Sequence, residues 1–232
     1  MHAFHRNFFT GDSIGLEPRR FFMKTQNNVH EKTRRLVLLA FLAALVVVLQ
    51  LLTEFVMQPY QLPISLVLLP VVVGAILLGT GEGAFLGGVF GVVVSICSLT
   101  GVDKAGAAFC MVNPFMTVLL CVCKGVLAGL LAGLVYKLVF RSSKNVGVSS
   151  VFAAAAAPIA NTGVFLLGAT TFFSDTVHQW ASDAEVANFI TYVFVGLIGI
   201  NFVIEFFINV IITPIIMPAI SKNFGSKENI SK

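Results

Sequence analysis

The chain has 232 residues, of which 57% are apolar and only 11% are charged. Its mean hydropathy is +0.92, which leaves too few polar residues to cover one water-soluble core and excludes a soluble globular protein. The net charge of +4 lies almost entirely beside apolar stretches, where Lys and Arg set membrane orientation and meet anionic lipid. We therefore expect a protein of the lipid bilayer with no nucleic-acid partner.

Six apolar stretches are predicted to cross the membrane, because a helix crosses ~30 Å of hydrocarbon in about 20 residues. They lie near residues 36–53, 64–79, 83–99, 113–140, 150–172 and 187–218. The glycine-rich segment 79–83 predicts a tight turn. Residues 54–63, 100–112 and 173–186 are then left as outer loops. The expected fold is all-α, a bundle of six transmembrane helices.

Basic residues predict the orientation of this bundle. Thirteen of the fifteen Lys and Arg residues precede the first span, lie at or beyond the C-terminal end of the fourth, or follow the sixth. Because cytoplasmic loops are enriched in these residues, we expect both termini and the loop 141–149 to be cytoplasmic. The expected domains are an N-terminal tail at 1–32, a membrane domain at 33–220 and a C-terminal tail at 221–232. Residues 1–22 do not resemble a signal peptide and are either an over-extended start or a disordered tail.

Small residues recur every four positions in three of the spans, a pattern that lets helix backbones approach closely. The glycines of this pattern are Gly83, Gly87 and Gly91 in the third span and Gly125, Gly129 and Gly133 in the fourth. For these stripes, packing within the bundle is the favoured interpretation. Ala40 and Ala44 have the same spacing near the cytoplasmic edge of the first span, where contact with a partner protein is favoured.

Two ionisable residues lie within predicted spans with apolar residues on both sides, Lys124 in the fourth and Glu205 in the sixth. Each costs ~2.5–3.5 kcal/mol at the centre of a membrane helix, so each is expected to face the bundle interior and to have a partner. Two interpretations stand level. The residues form an ion pair that stabilises the bundle, or one or both of them bind a ligand.

Polar and aromatic side chains of the later spans form a second candidate constellation. The amides and their neighbouring hydroxyl are Asn113, Asn161, Thr162 and Asn201, and the aromatic residues above them are Trp180 and Tyr192. Hydrocarbon cannot satisfy an amide, so hydrogen bonds between helices explain any one of these residues. As a group with Lys124, they are typical of the wall of a polar small-molecule cavity.

The sequence carries no recognisable motif for catalysis or metal binding. Cys121 and Cys123 lack the two-residue gap of a redox or zinc motif, and His178 has no ligand partner at a suitable spacing. No motif for hydrolysing ATP, peptides or esters occurs in the chain. We therefore expect no metal, no cofactor and no enzymatic activity, and energy for any transport must come from other chains.

Three segments carry a resemblance to a known family, namely RRLVLLAFLAA at 34–44, PVVVGAILLG at 70–79 and GEGAFLG at 81–87. They resemble the substrate-binding membrane subunits (S components) of energy-coupling-factor vitamin transporters. The resemblance covers roughly residues 33–220, including the six-span length.

This resemblance implies a subunit in a bacterial plasma membrane that captures a vitamin or its precursor outside the cell. Its implied partners are a membrane coupling protein and two cytoplasmic ATPases. In this family an Ala-xxx-Ala motif in the first span contacts the coupling protein, and Ala40 and Ala44 match it. The family's substrate lies near the outer face, mainly among the later spans.

Within the family, PIANTG at 158–163 and GINFVIE at 199–205 look most like the pantothenate-type branch. Phe202 departs from the glycine expected in that branch, which affects the shape of the site. Pantothenate carries a carboxylate that Lys124 could pair with, and amide and hydroxyl groups suited to Asn161, Thr162 and Asn201. Riboflavin, folate, thiamine and pyridoxine remain open as substrates.

Two functions of other classes also remain open. One is a self-sufficient proton-coupled carrier in which Glu205 titrates. The other is an intramembrane enzyme or assembly factor that uses Lys124 and Glu205 as acid and base, although no further reactive group accompanies them.

Overall fold

A computed structural model describes most of the chain and shows only helices as regular elements there. The described residues are 17–57, 66–184, 188–193 and 199–223, with the backbone alone at 17–30, 57, 200, 222 and 223. Most of the predicted tails and most of the predicted loop 54–63 lie outside these residues. The chain divides into two compact units between Leu38 and Leu39, and the second unit contains the greater part of the bundle.

The helices follow one another with short connections. They are α1 (Glu17–Leu52), α2 (Leu68–Leu77), α3 (Thr80–Leu99), α4 (Lys104–Val112), α5 (Pro114–Ser143), α6 (Val146–Phe172), α7 (Ser174–Asp183), α8 (Phe189–Thr191) and α9 (Gly199–Asn223). A π-helical turn, Thr53–Met57, continues α1. In the described residues the prediction of an all-α chain is confirmed.

Five helical segments are long and apolar enough to cross a membrane. They are Glu31–Val56, Thr80–Leu99, Pro114–Ser143, Val146–Phe172 and Asn201–Ser221. The predicted second span is different, because α2 has only ten residues, eight of them buried. At 1.5 Å per residue this helix rises only about 15 Å. Since residues 58–65 lie outside the described part, the sixth crossing stays a prediction.

Two of the predicted outer loops contain helices. The glycine/alanine-rich segment 100–112 contains α4, which buries Gly106 and Phe109. The polar segment 173–186 contains α7, which buries Val177 and Ala181. In each case the buried residues are three or four positions apart, so one helical face packs on the bundle. Both segments were predicted only as outer loops, which stays a prediction, and the short helices within them were not anticipated.

Two predicted connections are shorter than expected. Of the turn predicted at 79–83, only Gly79 keeps an irregular backbone, with a φ of 130° that favours glycine, and α3 begins at Thr80. The loop predicted at 141–149 is reduced to Lys144, in the left-handed conformation, and Asn145. The Asn145 side chain accepts a hydrogen bond from the backbone N–H of Val148 and thereby caps α6.

The two glycine stripes pack against each other, as predicted for contacts within the bundle. A Cβ atom placed on Gly87 would overlap the backbone of Gly125, and one placed on Gly129 would overlap that of Gly83. Helices α3 and α5 therefore lie backbone against backbone. Beyond them, α5 packs on α6 and α6 packs on α9, while the short α2 contacts α3, α5, α6 and α9.

Candidate functional site: a polar cavity at one end of the bundle

A cavity of about 250 Å³ lies where one end of several helices meets. Its wall is formed by the C-terminal end of α1, the second half of α3, α4, the first half of α5, the second half of α6 and the start of α9. The polar residues lining it are Gln50, Thr53, Glu54, Asp103, Thr117, Lys124, Asn161, Thr162, Asn201 and Glu205. Such a concentration of polar groups among apolar helices is typical of a ligand site.

Five of the eight predicted substrate-binding residues line this one cavity. They are Lys124 of α5, Asn161 and Thr162 of α6, and Asn201 and Glu205 of α9. The three helices pack consecutively, α5 on α6 and α6 on α9, which explains how residues up to 81 positions apart share one wall. Their part in binding a ligand stays a prediction, but the structure brings them together.

Lys124 is held between aromatic rings. Its Nζ lies 5.9 Å from the centroid of the Phe90 ring and 5.2 Å from that of Phe165, distances at which a cation is attracted to the ring face. Glu54 also interacts electrostatically with Lys124 and with Asp103. The ammonium group is therefore positioned from α3 and α6 at the cavity wall.

Glu205 lies on the buried face of α9, together with Asn209, Thr213 and Met217. The side-chain amide of Asn209 donates a hydrogen bond of 2.8 Å to the backbone carbonyl of Glu205. Because Lys124 and Glu205 line the same cavity, both predicted roles, the ion pair and the ligand contact, are compatible with their positions.

Asn161 presents an unsatisfied acceptor. Its Oδ1 atom is buried and accepts no hydrogen bond from the described residues. A buried polar atom without a partner costs ~1–3 kcal/mol, so such atoms are uncommon in folded proteins. In a cavity wall, this atom is available to a donor that a ligand supplies.

The other three predicted binding residues lie outside the cavity wall. Asn113 is exposed, and its side chain accepts a hydrogen bond of 3.1 Å from the N–H of Met116, which caps α5. Trp180 stacks on Phe109 with ring centroids 5.1 Å apart. Tyr192 packs against the same apolar cluster. Of this cluster, Phe109 itself lines the cavity, so Trp180 is one layer behind the wall.

The comparisons with known proteins agree with this architecture. The family model of the ECF transporter, substrate-specific component, matches residues 34–217. The chain belongs to this family. It is a multi-pass membrane protein and a transporter component rather than an enzyme.

A named relative covers nearly the same region. The "Pantothenic acid transporter PanT" of Lactococcus lactis subsp. cremoris (strain MG1363) is 29% identical over 205 residues, which are 82% of this chain and 95% of the relative. No solved structure matches the chain.

Several cavity residues of this substrate-specific component were not predicted from the sequence, namely Gln50, Thr53, Glu54, Asp103 and Thr117. Glu54 was assigned to an outer loop because the first span was expected to end at residue 53. The helix instead continues as a π-helical turn to Met57. The i, i+4 spacing of Gln50 and Glu54 on the buried side of an apolar helix was the available signal.

The predicted partner surface lies on the exposed side of α1, opposite the side that is buried against the bundle. Ala40 and Ala44 are exposed, as are Phe41 and Val48. Leu42 and Val46 on the other side are buried. In this substrate-specific component, the small-residue pair is therefore accessible to another helix.

Proposed function

We propose that this substrate-specific component binds pantothenate in the cavity and passes it into a bacterial cell. The observation that carries the proposal is the meeting of Lys124 with the polar residues Asn161, Thr162 and Asn201 in one cavity wall. The 29% identity to a relative named as a pantothenic acid transporter supports it.

The chemistry of the cavity suits the groups of pantothenate. An ammonium group such as that of Lys124 forms a charge-assisted hydrogen bond with a carboxylate. Asn161 and Asn201 can exchange hydrogen bonds with an amide, and Thr162 can do so with a hydroxyl. The volume of about 250 Å³ lies just below the range of ~300–1,000 Å³ typical of sites for drug-sized ligands. This size favours a small vitamin over riboflavin or folate, which carry extended ring systems.

Transport requires partner chains in this proposal. The chain has no motif for ATP hydrolysis, so two cytoplasmic ATPases supply the energy through a membrane coupling protein. The exposed Ala40 and Ala44 allow close approach of a helix of that coupling protein, because small side chains let backbones come together. Substrate binding and partner binding then occupy opposite sides of α1.

The proposed topology has six crossings of the plasma membrane, with both termini in the cytoplasm. Residues 64–79, including the buried α2, form the second crossing. The distribution of Lys and Arg supports this orientation. It places the cavity in the outer half of the bundle, because the C-terminal ends of α1 and α3 reach it.

Thiamine is the second candidate, and the charges of the cavity favour it. Glu54, Asp103 and Glu205 line the wall with Lys124 as the only basic residue among the described lining residues. A cationic vitamin would be attracted to this acidic excess. Pantothenate, an anion, must instead place its own carboxylate close to Lys124 and away from these acidic residues.

Purification followed by direct ligand identification tests the proposal. The chain is purified from membranes in detergent, and the small molecule bound to it is identified by mass spectrometry. The ligand-free protein is then titrated calorimetrically with pantothenate, thiamine and riboflavin. Heat with pantothenate alone supports the proposal. Binding of thiamine but not of pantothenate would identify thiamine as the substrate instead. Absence of binding of all three vitamins would contradict the proposed function.

A further inference from the structure

The end of α1 carries a buried polar pair inside the cavity wall. Gln50 and Glu54 are 4% and 5% exposed, and both line the cavity. The side-chain amide of Gln50 donates a hydrogen bond of 2.7 Å to Oε1 of Glu54. The second carboxylate oxygen, Oε2, is buried and accepts no hydrogen bond from the described residues.

A buried carboxylate oxygen without a donor is unfavourable, and the penalty is larger for charged groups than for neutral ones. Across the described residues, Asn161 Oδ1 of α6 is the other lining atom in this situation. Both atoms are acceptors, and both lie on one cavity. What the cavity lacks at these two points is therefore a hydrogen-bond donor.

Other polar groups of the wall already have internal partners. The Thr53 hydroxyl donates to the carbonyl of Leu49, and the Thr117 hydroxyl donates to that of Asn113. Asp103 Oδ2 accepts a hydrogen bond from Ser98. Glu54 differs from these three groups in having a buried side-chain oxygen, Oε2, that accepts no hydrogen bond from the described residues.

We propose that Glu54 is a substrate-binding residue that accepts a hydrogen bond from a hydroxyl of the ligand, with Gln50 as the positioning residue that fixes its other oxygen. This assignment rests on the proposed function. It orients the ligand, because the hydroxyl-bearing end lies against α1 while the carboxylate lies at Lys124 on α5.

The test compares two ligands on the full-length protein. Pantothenate and its analogue with both hydroxyls replaced by hydrogen are titrated into wild type, Glu54→Met and Glu54→Gln. Wild type is expected to bind the analogue at least about tenfold more weakly, the scale of a lost charge-assisted hydrogen bond. In Glu54→Met the ratio of the two affinities, pantothenate over analogue, falls at least about fivefold. Glu54→Gln keeps an intermediate ratio, since a neutral hydrogen bond is weaker than a charge-assisted one.

A matched control is Glu82→Met in the first turn of α3, which is not a lining residue of the cavity. Its ligand ratio should equal that of wild type. An unchanged ratio in Glu54→Met, or the same fall in the control, overturns the assignment while the proposed function stands. If Glu54→Met does not fold, the ratio in the isosteric Glu54→Gln decides in the same way. Absence of pantothenate binding by wild type overturns the proposed function and, with it, this assignment.

Discussion

Gly87 of α3 and Gly125 of α5 meet backbone to backbone, and neither position has room for a Cβ atom. The same holds for Gly83 and Gly129 one turn further along. Without a hydrophobic driving force between helices in lipid, this close van der Waals packing is a main source of helix association. The pair therefore determines how closely two helices of the cavity wall approach.

We expect Gly87→Ala to destabilise the bundle by about 1–3 kcal/mol, because an inserted methyl group in a close-packed contact forces the backbones apart. Thermal unfolding in detergent measures the effect. Gly81→Ala on the same helix is the control, since a Cβ there has no atom within 4 Å. Equal midpoints for both variants would contradict the close-packing interpretation.

The proposed topology predicts which surface residues can be labelled from outside intact cells. In a background without the four native cysteines, Lys104→Cys should react with an impermeant maleimide, because α4 faces outward in the proposed topology. Lys144→Cys should react only after permeabilisation, since basic loops remain in the cytoplasm. Both residues are exposed, so accessibility alone does not separate them. Labelling of position 144 in intact cells would contradict the proposed orientation of the bundle in the membrane.

Coupling to partner subunits should be separable from ligand binding. Ala40→Leu and Ala44→Leu place a bulky side chain on the exposed side of α1 and block close helix approach. We expect loss of vitamin uptake in cells with ligand affinity changed less than about twofold, a difference below ~0.5 kcal/mol. Val148→Leu, an exposed position at the start of α6, is the control and should transport normally. Normal uptake by both alanine variants, with the ATPases still co-purifying, would exclude this surface as the coupling site.

Much of the cavity could be predicted from residues that do not belong in lipid. Lys124 and Glu205 stand out because ionisable groups are expensive in a membrane, and Asn161 and Asn201 stand out for a similar reason. The structure places all four in one wall. Glu54 was missed because the first helix was predicted to end at residue 53, whereas the chain continues in a π-helical turn to Met57.

Other predictions depended on information that a linear pattern does not carry. Trp180 was expected in the cavity wall, but its ring stacks on Phe109. This contact could not be predicted, because the spacing of residues in a sequence does not reveal a stacking partner 71 positions away. Asn113 resembled a ligand group and is the cap of α5, a role that the following Pro114 could have indicated. The shortness of α2 was hidden because its buried apolar residues look the same as those of a spanning helix.

Lys124 and Glu205 have competing roles that two variants can separate. Lys124→Met and Glu205→Gln are compared for thermal stability and for ligand affinity per folded molecule. If Lys124 binds the ligand carboxylate, Lys124→Met weakens pantothenate binding by at least ~1 kcal/mol, the scale of a lost charge-assisted contact. Parallel losses of stability with unchanged affinity would instead identify an ion pair that only stabilises the bundle.

The central claim is that a polar cavity between α1, α5, α6 and α9 binds pantothenate, and Asn161 tests it most directly. Its buried Oδ1 has no partner in the described residues, so replacing it leaves no internal hydrogen-bond donor unpaired at that atom. We expect calorimetric titration of Asn161→Ala with pantothenate to show affinity at least about fivefold below wild type, a loss of ~1 kcal/mol, with unfolding temperature nearly unchanged. Wild-type affinity in this variant would contradict the assignment of the cavity as the substrate site.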